Sequence, residues 1–335
     1  MTLKRIGAVV VAVALVAGAL LVRRTVLDDD DDTISGGTVV TTQPAAVISG
    51  ELLCITELAA LCAGLRAEFP ELTVTVEDAG ATLDALAALP DDATRPLWVT
   101  IQPFPAMVDE LRVASGDEPF GAITEPVGAS RLAVATQTGR AGVLSATCAD
   151  RPLWACVGED AGAPWTDLGG DAAWGRVRPA LGDVDGQAIA LASFAVAVAG
   201  YVGRPDIRSS DWRDDPAFAP WLRRLAGAVS LSSLSSITPL ATMERRPSAL
   251  DIAATSDAEV AAVGGELFDV NYPEPSMWVE AVVAVPEGTS APEGLTAALT
   301  AALSASGWDP PASAAQPLPG PTTMLALRGQ WQEVT

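Results

Sequence analysis

The first hydropathy feature is an unbroken apolar run over residues 6–22, IGAVVVAVALVAGALLV. As a helix at about 1.5 Å per residue it would reach about 26 Å, the short limit for crossing a bilayer. Lys4, Arg5 and the amino terminus precede it, and Arg23 and Arg24 follow. Basic residues set orientation, so about three positive charges against two favour an inside N-terminus. Two expectations compete. One is an uncleaved signal anchor over residues 1–24. The other is a signal peptide cut after Ala19, because Ala17-Gly18-Ala19 has the small-x-small form. Ala19 stands where a lipoprotein would carry its cysteine, so no lipid anchor is expected. Both readings export the rest of the chain. Residues 25–44 hold Asp28–Asp32, then Ser35-Gly36-Gly37 and a Thr-rich stretch. That composition reads as a solvated tether.

From Ala45 the pattern alternates between two periods. Ala46-Val47-Ile48 reads as a short buried strand closed by Ser49-Gly50. Leu58, Leu61, Cys62, Leu65 and Phe69 then fall on one helical face, and Pro70 ends it. Leu72, Val74 and Val76 alternate with polar residues as a strand. A second helix follows from Leu83 to Leu89, and 97–101 (LWVTI) is a third strand. Strand, helix, strand, helix, strand predicts parallel βαβ units with right-handed crossovers. Further strands are expected at 131–135, just before 182–186, at 251–255 and at 277–285. Helices are expected at 165–168, 187–201, 218–229, from Thr238-Pro239 onward, and at 293–303. Residues 148–156 read as a hairpin or loop, and the Pro-rich 308–321 as a surface crossing.

Composition removes whole chemistries. The 335 residues contain no histidine, and the only lysine is Lys4. No Ser-His-Asp or Cys-His nucleophile, histidine zinc site, Schiff-base lysine or P-loop lysine can be built. A net charge of −22 argues against nucleic-acid partners. Carboxylate catalysis is not excluded by composition, but it needs two acids about 5–10 Å apart across a cleft, and the sequence offers no means of pairing them. The four cysteines, in an exported chain, favour disulfides. Of the three possible pairings, the local ones, Cys54–Cys62 and Cys148–Cys156, are preferred over distant pairs or buried free thiols. Residues eight apart on one straight helix lie about 12 Å apart, too far for a bridge, so Cys54 is expected in the turn before the Cys62 helix.

Three turns at the carboxyl ends of expected strands are candidate ligand sites: Ser49-Gly50-Glu51, Gly80-Ala81-Thr82 and Asp185-Gly186-Gln187. Free N–H groups and a helix dipole at such turns face a ligand in open α/β sheets. Thr100, near the end of the third strand, joins them. Asp183-Val184-Asp185-Gly186 lacks the third acid and closing glutamate of an EF-hand, so no metal site is expected there. No cofactor is expected either. Ser232–Ser236 is either a helix end with solvated serines or a hydroxyl-lined wall, and each of the nine tryptophans is taken first as core.

The order of elements resembles extracytoplasmic solute-binding proteins of ABC-type transporters, the type 2 group that includes molybdate- and phosphate-binding members. The resemblance covers residues 45–331. It is carried by 62–70 (CAGLRAEFP), 74–76 ending in 78–83 (DAGATL), 97–99 (LWV), 131–135 (RLAVA), 165–168 (WTDL), 185–187 (DGQ), 249–255 (ALDIAAT) and Pro273-Glu274-Pro275. It implies a two-lobed α/β fold, with residues 45–127 plus 270–335 as lobe 1 and 128–269 as lobe 2. The chain would cross between lobes near 125–130 and 266–276. It also implies capture of a small solute by lobe closure, without chemistry, by a monomer that serves a transporter permease. The first loop departs from the oxyanion-binding pattern: Glu51 in the cleft would repel an anion, leaving a neutral solute, a cation or no ligand. The alternative function is a non-transport cell-surface interaction module with a degenerate ligand site. The folded part is expected outside the cytoplasm, single-pass anchored or, after cleavage, secreted.

Overall fold

The computed structural model describes residues 50–113, 120, 122–229, 238–264, 267–311 and 316–335. The apolar run at 6–22, the tether, the strand expected at 46–48, Ser49 and Ser232–Ser236 lie outside the described residues. Among the described residues no helix is long and apolar enough to cross a membrane.

The chain opens with β1 (Glu51–Ile55), a 3-10 turn (Thr56–Leu58) and α1 (Ala59–Glu68). Cys62 and Leu65 bury on the sheet side of α1, and Pro70 lies just beyond it. β2 (Thr73–Glu77), α2 (Ala79–Ala88), β3 (Leu97–Ile101) and α3 (Phe104–Arg112) continue the alternation. β1 pairs in parallel with both β2 and β3, as expected of the βαβ units that the periodicity predicts. All five residues of β3 are buried, so that strand reads as a continuous apolar run rather than an alternating one.

Next come β4 (Ala122–Ile123), β5 (Gly128–Gln137), α4 (Thr138–Thr147), α5 (Leu153–Asp160) and β6 (Pro179–Ala180). The segment expected as a hairpin at 148–156 is a helix–turn–helix: Cys148 caps α4 and Cys156 lies in α5. Both local disulfides are present, with Cα–Cα distances of 6.5 Å for Cys54–Cys62 and 5.6 Å for Cys148–Cys156. Cys54 sits in β1 rather than in the turn, since the strand and helix bring the two Cα atoms within range.

The chain continues with α6 (Ala188–Val202), α7 (Ser210–Arg213), α8 (Phe218–Gly227), α9 (Pro239–Arg245), β7 (Ile252–Ser256), α10 (Asp257–Val263), β8 (Phe268–Asn271), β9 (Trp278–Val285), α11 (Leu295–Ala305) and α12 (Pro321–Gln332). α6 carries no charge and is buried along nearly its whole length, as a core helix apolar all round must be.

The sheet order is β2-β1-β3-β9-β5-β7-β6, with β4 on β9 and β8 on β5. Its continuity rests on one strand. Gly128–Arg131 of β5 pair with β9, whereas Leu132–Thr136 pair with β7. No residue of β5 serves both partners, so β5 passes from one sheet to the other. Residues 272–277, between β8 and β9, make the second crossing. Two lobes result. One holds β1–β4 and β9 with α1–α3 and α11; the other holds β6–β8 and the far half of β5 with α4–α10. The helix α12 packs on α3 of the first lobe and α6 of the second. Its Trp331 meets Phe194 of α6 edge to face at 5.2 Å. One apolar core cluster includes residues of both lobes.

Candidate functional site

Four loops lie at the carboxyl ends of parallel strands and meet between the lobes. They follow β1, β2, β6 and β7. The first differs from the sequence-based expectation. Gly50 and Glu51 lie at the amino end of β1, and Glu51 is exposed there, beside Thr75. Glu51 opens the strand, whose apolar run is Leu52–Ile55. The loop at the strand tip is therefore Thr56-Glu57-Leu58, and the acid in the cleft is Glu57.

The second and third turns do come together. Gly80 N donates to Gly186 O at 2.9 Å. The N–H groups expected to face a ligand are nevertheless used within the protein. Gly186 N donates to Asp183 Oδ1 at 3.1 Å and Gln187 N to Asp183 O at 2.8 Å. Asp185 accepts from Arg328 and Gln332. Ala81 is exposed. Thr82 and Thr100 are buried, and neither hydroxyl has a hydrogen-bond partner. Of the ten ligand-binding residues the sequence suggests, none of the described ones is in the wall of the cavity that lies beside them.

The open space lies beside them. A cavity of about 270 Å³ is lined by Glu57, Leu58, Ala60 and Leu61 after β1, Ile189 at the start of α6, and Thr238 at the start of α9. Ser256, Ala258, Glu259 and Ala262 after β7 complete the wall, with Ser306 and Trp308 beyond α11. Each lobe contributes one carboxylate. Glu57 Oε1 accepts from Ile189 N at 3.0 Å, in the first turn of α6 across the cleft. That N–H has no acceptor inside its own helix, and the helix dipole favours an anion there. Thr56 has one hydroxyl proton, 2.9 Å from Asp78 Oδ1 and 3.2 Å from Glu57 Oε2, so the two acids compete for it.

Glu259 lies in a capping box: Ser256 Oγ accepts from Glu259 N at 3.4 Å. Its carboxylate turns away from that box. Oε1 accepts from Thr238 Oγ1, and Oε2 accepts from Thr255 Oγ1 at 2.8 Å. Burial pushes both glutamates above the usual carboxylate range, and the neighbouring Glu57 pushes Glu259 up further. Among the described residues no arginine forms an ion pair with either. The site thus holds two desolvated carboxyl groups, one from each lobe, in an otherwise mainly apolar chamber.

The sequence carried signals for these residues. Ser256-x-x-Glu259 after an apolar strand is a capping-box pattern, and Thr238-Pro239 marks a helix start. Only the position of β1 hid Glu57.

No family model and no curated relative matches the sequence. Solved structures do match. The ferric binding protein from Campylobacter jejuni superposes with a TM-score of 0.51 at 6% identity, covering 85% of this chain and 96% of that one. Iron-bound HitA from Pseudomonas aeruginosa gives 0.50 at 12% identity, covering 85% and 99%. Such identities speak to architecture alone. The chain has the two-lobed, type 2 periplasmic-binding-protein-like α/β fold of these solute-binding proteins.

Proposed function

We propose that this protein is an extracytoplasmic solute-binding protein that captures a small organic cation between its lobes and presents it to an ABC-type permease. It acts by binding and closure, not by catalysis. The observation that carries the reading is the inter-lobe cavity with one half-buried carboxyl group from each lobe and, among the described residues, no arginine paired with either. A cation would relieve the desolvation of both groups and their mutual repulsion. An anion would meet two like charges, and the α6 terminus that could hold it is already occupied by Glu57.

The cavity's size and walls narrow the class. At about 270 Å³ it is several times the volume of a single water, about 30 Å³. Leu58, Leu61, Ile189, Ala258 and Trp308 supply apolar surface. An ammonium head with an alkyl or aryl body matches both. Among the described residues no group of three or more His, Cys, Asp or Glu side chains is placed to hold a metal ion. Two carboxylates with hydroxyls are a thin donor set for a tightly held transition metal. The reading includes an N-terminal helix over residues 6–22 that keeps the binding domain near its transporter, and a monomeric state.

The test is thermal shift and calorimetry with n-butylammonium and benzylammonium, against n-butanol and butyrate as neutral and anionic counterparts. A solute at a hundred times its dissociation constant stabilises the protein by about 2.7 kcal/mol. Cations should bind, their counterparts should not, and Glu259→Gln should weaken cation binding about tenfold or more. Tighter binding of butyrate than of the amines would overturn the reading. A second reading, a cell-surface interaction module without a solute, draws on the direct Gly80–Gly186 contact. It becomes the better one if no solute of any charge binds.

A further inference from the structure

We propose that Arg328 is a latch that holds the two lobes shut against each other. Arg328 lies on α12 and is only 7% exposed. Its Nη1 and Nη2 donate to Asp84 Oδ1 and Oδ2 at 2.6 and 2.8 Å. Asp84 belongs to α2 of the first lobe. The remaining donor, Nε, reaches Asp185 Oδ1 of the second lobe at 2.8 Å. Gln332, one helical turn further along α12, donates to the same oxygen. The fork of one guanidinium is therefore divided between acids of opposite lobes. Without it, closure would bring Asp84 and Asp185 together as like charges. With it, the same approach forms three charge-assisted hydrogen bonds, the strong kind.

Gly80 is the second, independent sign that the closed state is built into the sequence. It lies in α2 and is not among the positive-φ glycines. Glycine in a helix costs about 1 kcal/mol relative to alanine, so the backbone gives no reason for it. The other lobe gives one. A Cβ at position 80 would lie 1.9 Å from Asp185 O, and Gly80 N donates to Gly186 O at 2.9 Å. The absent side chain lets the loops of the two lobes touch, directly beside the arginine. Opening the lobes, not closing them, is the step that must be driven. This goes beyond the proposed solute class and does not depend on it.

Gly80 N is among the first N–H groups of α2, so its acceptor across the cleft is what protects it from exchange. The experiment is hydrogen exchange on the full-length protein without solute, read at residue 80, with the buried amides of α6 as the folding control. The wild-type Gly80 amide should be protected. In Arg328→Gln, Asp185→Asn and Gly80→Ala the amide at position 80 should exchange about tenfold or more faster, while α6 stays protected. Asp185 is half exposed and lies in a loop, so Asp185→Asn decides the matter if Arg328→Gln loses protection throughout. An unprotected Gly80 amide in the wild type, or unchanged protection in Asp185→Asn and Gly80→Ala, overturns the latch.

Discussion

Replacing Asp251 should cost more stability than any exposed ion pair, and the structure says why. Asp251 is fully buried immediately before β7. Its Oδ2 accepts from Trp165 Nε1 at 3.2 Å, Arg178 N at 2.9 Å and Arg178 Nε at 3.2 Å. Its Oδ1 accepts from Arg178 Nη2 at 2.9 Å and forms an ion pair with Arg140 Nη1 at 3.0 Å. Arg178 immediately precedes β6, so this carboxylate ties the root of β6 to the root of β7, whose far end lines the cavity. Asp251→Ala removes the anion while leaving the Arg140 side chain 11% exposed. Breaking a buried pair in this way costs about 3–5 kcal/mol. The Trp165 N–H, left without its acceptor, adds about 1–3 kcal/mol. Arg178, at 28% exposure, regains water and offsets part of the sum. These losses share one network and do not add fully, so about 4 kcal/mol is expected. With a slope of about 2 kcal/mol per molar, the urea midpoint falls by about 2 M. Asp251→Asn, which keeps a carbonyl acceptor, should lose less than Ala. Urea unfolding followed by tryptophan fluorescence measures both. A loss of 1 kcal/mol or less for Asp251→Ala would refute the reasoning, because the carboxylate would then not be what holds these strands.

Glu259→Gln should raise the melting temperature of the solute-free protein at neutral pH. Burial raises the folded pKa of Glu259, so between the ordinary carboxylate value and that raised one the folded state binds more protons than the unfolded. Stability therefore falls as pH rises through this window, and the variant's advantage should grow in melting curves as pH rises above the ordinary carboxylate value; an advantage independent of pH would contradict it. Thr100→Val should be neutral or stabilising, within about 1 kcal/mol, since the hydroxyl is buried without a partner. Solute binding should be unaffected, and a weakened titration would return Thr100 to the site. Cys148→Ser with Cys156→Ser should cost about 2–3 kcal/mol for so short a loop, read as a lower melting temperature that a reductant does not lower further.

The α/β alternation was legible because buried strands and amphipathic helices differ in period. Leu58 to Phe69 marks α1, Leu97 to Ile101 marks β3, and the uncharged stretch from Ala188 marks α6. Less legible were α4, α5 and α12. α4 and α5 are small-residue helices around a disulfide, and Cys148–Cys156 looks in sequence like a stapled loop. α12 begins at Pro321 after a Pro-rich passage and mixes polar with apolar residues, because it serves two lobes at once. The candidate site was half legible. Chain order does bring Gly80 and Gly186 together, as strand tips on facing lobes must be. Periodicity does not say whether such tips enclose space or touch. That depends on side-chain volume and on one arginine distant in sequence.

The position of β1 decided the rest. Ala46-Val47-Ile48 and Leu52–Ile55 are both short apolar runs, and local pattern cannot rank them. Pairing can: Leu52, Leu53 and Cys54 of the second run stand opposite Val74, Thr75 and Val76, with β3 on the other side. Cys54 in that strand also lies within disulfide reach of Cys62. Once β1 ends at Ile55, its tip must carry Thr56-Glu57 to the cleft, and a carboxyl group arrives there. The argument against an anionic solute therefore survives with a different residue. Glu51 would have been one solvated charge at a rim, whereas Glu57 is desolvated, fills the α6 terminus and faces a second half-buried acid. Keeping two such groups lowers the stability of the empty protein at neutral pH, a cost that selection for folding alone gives no reason to retain.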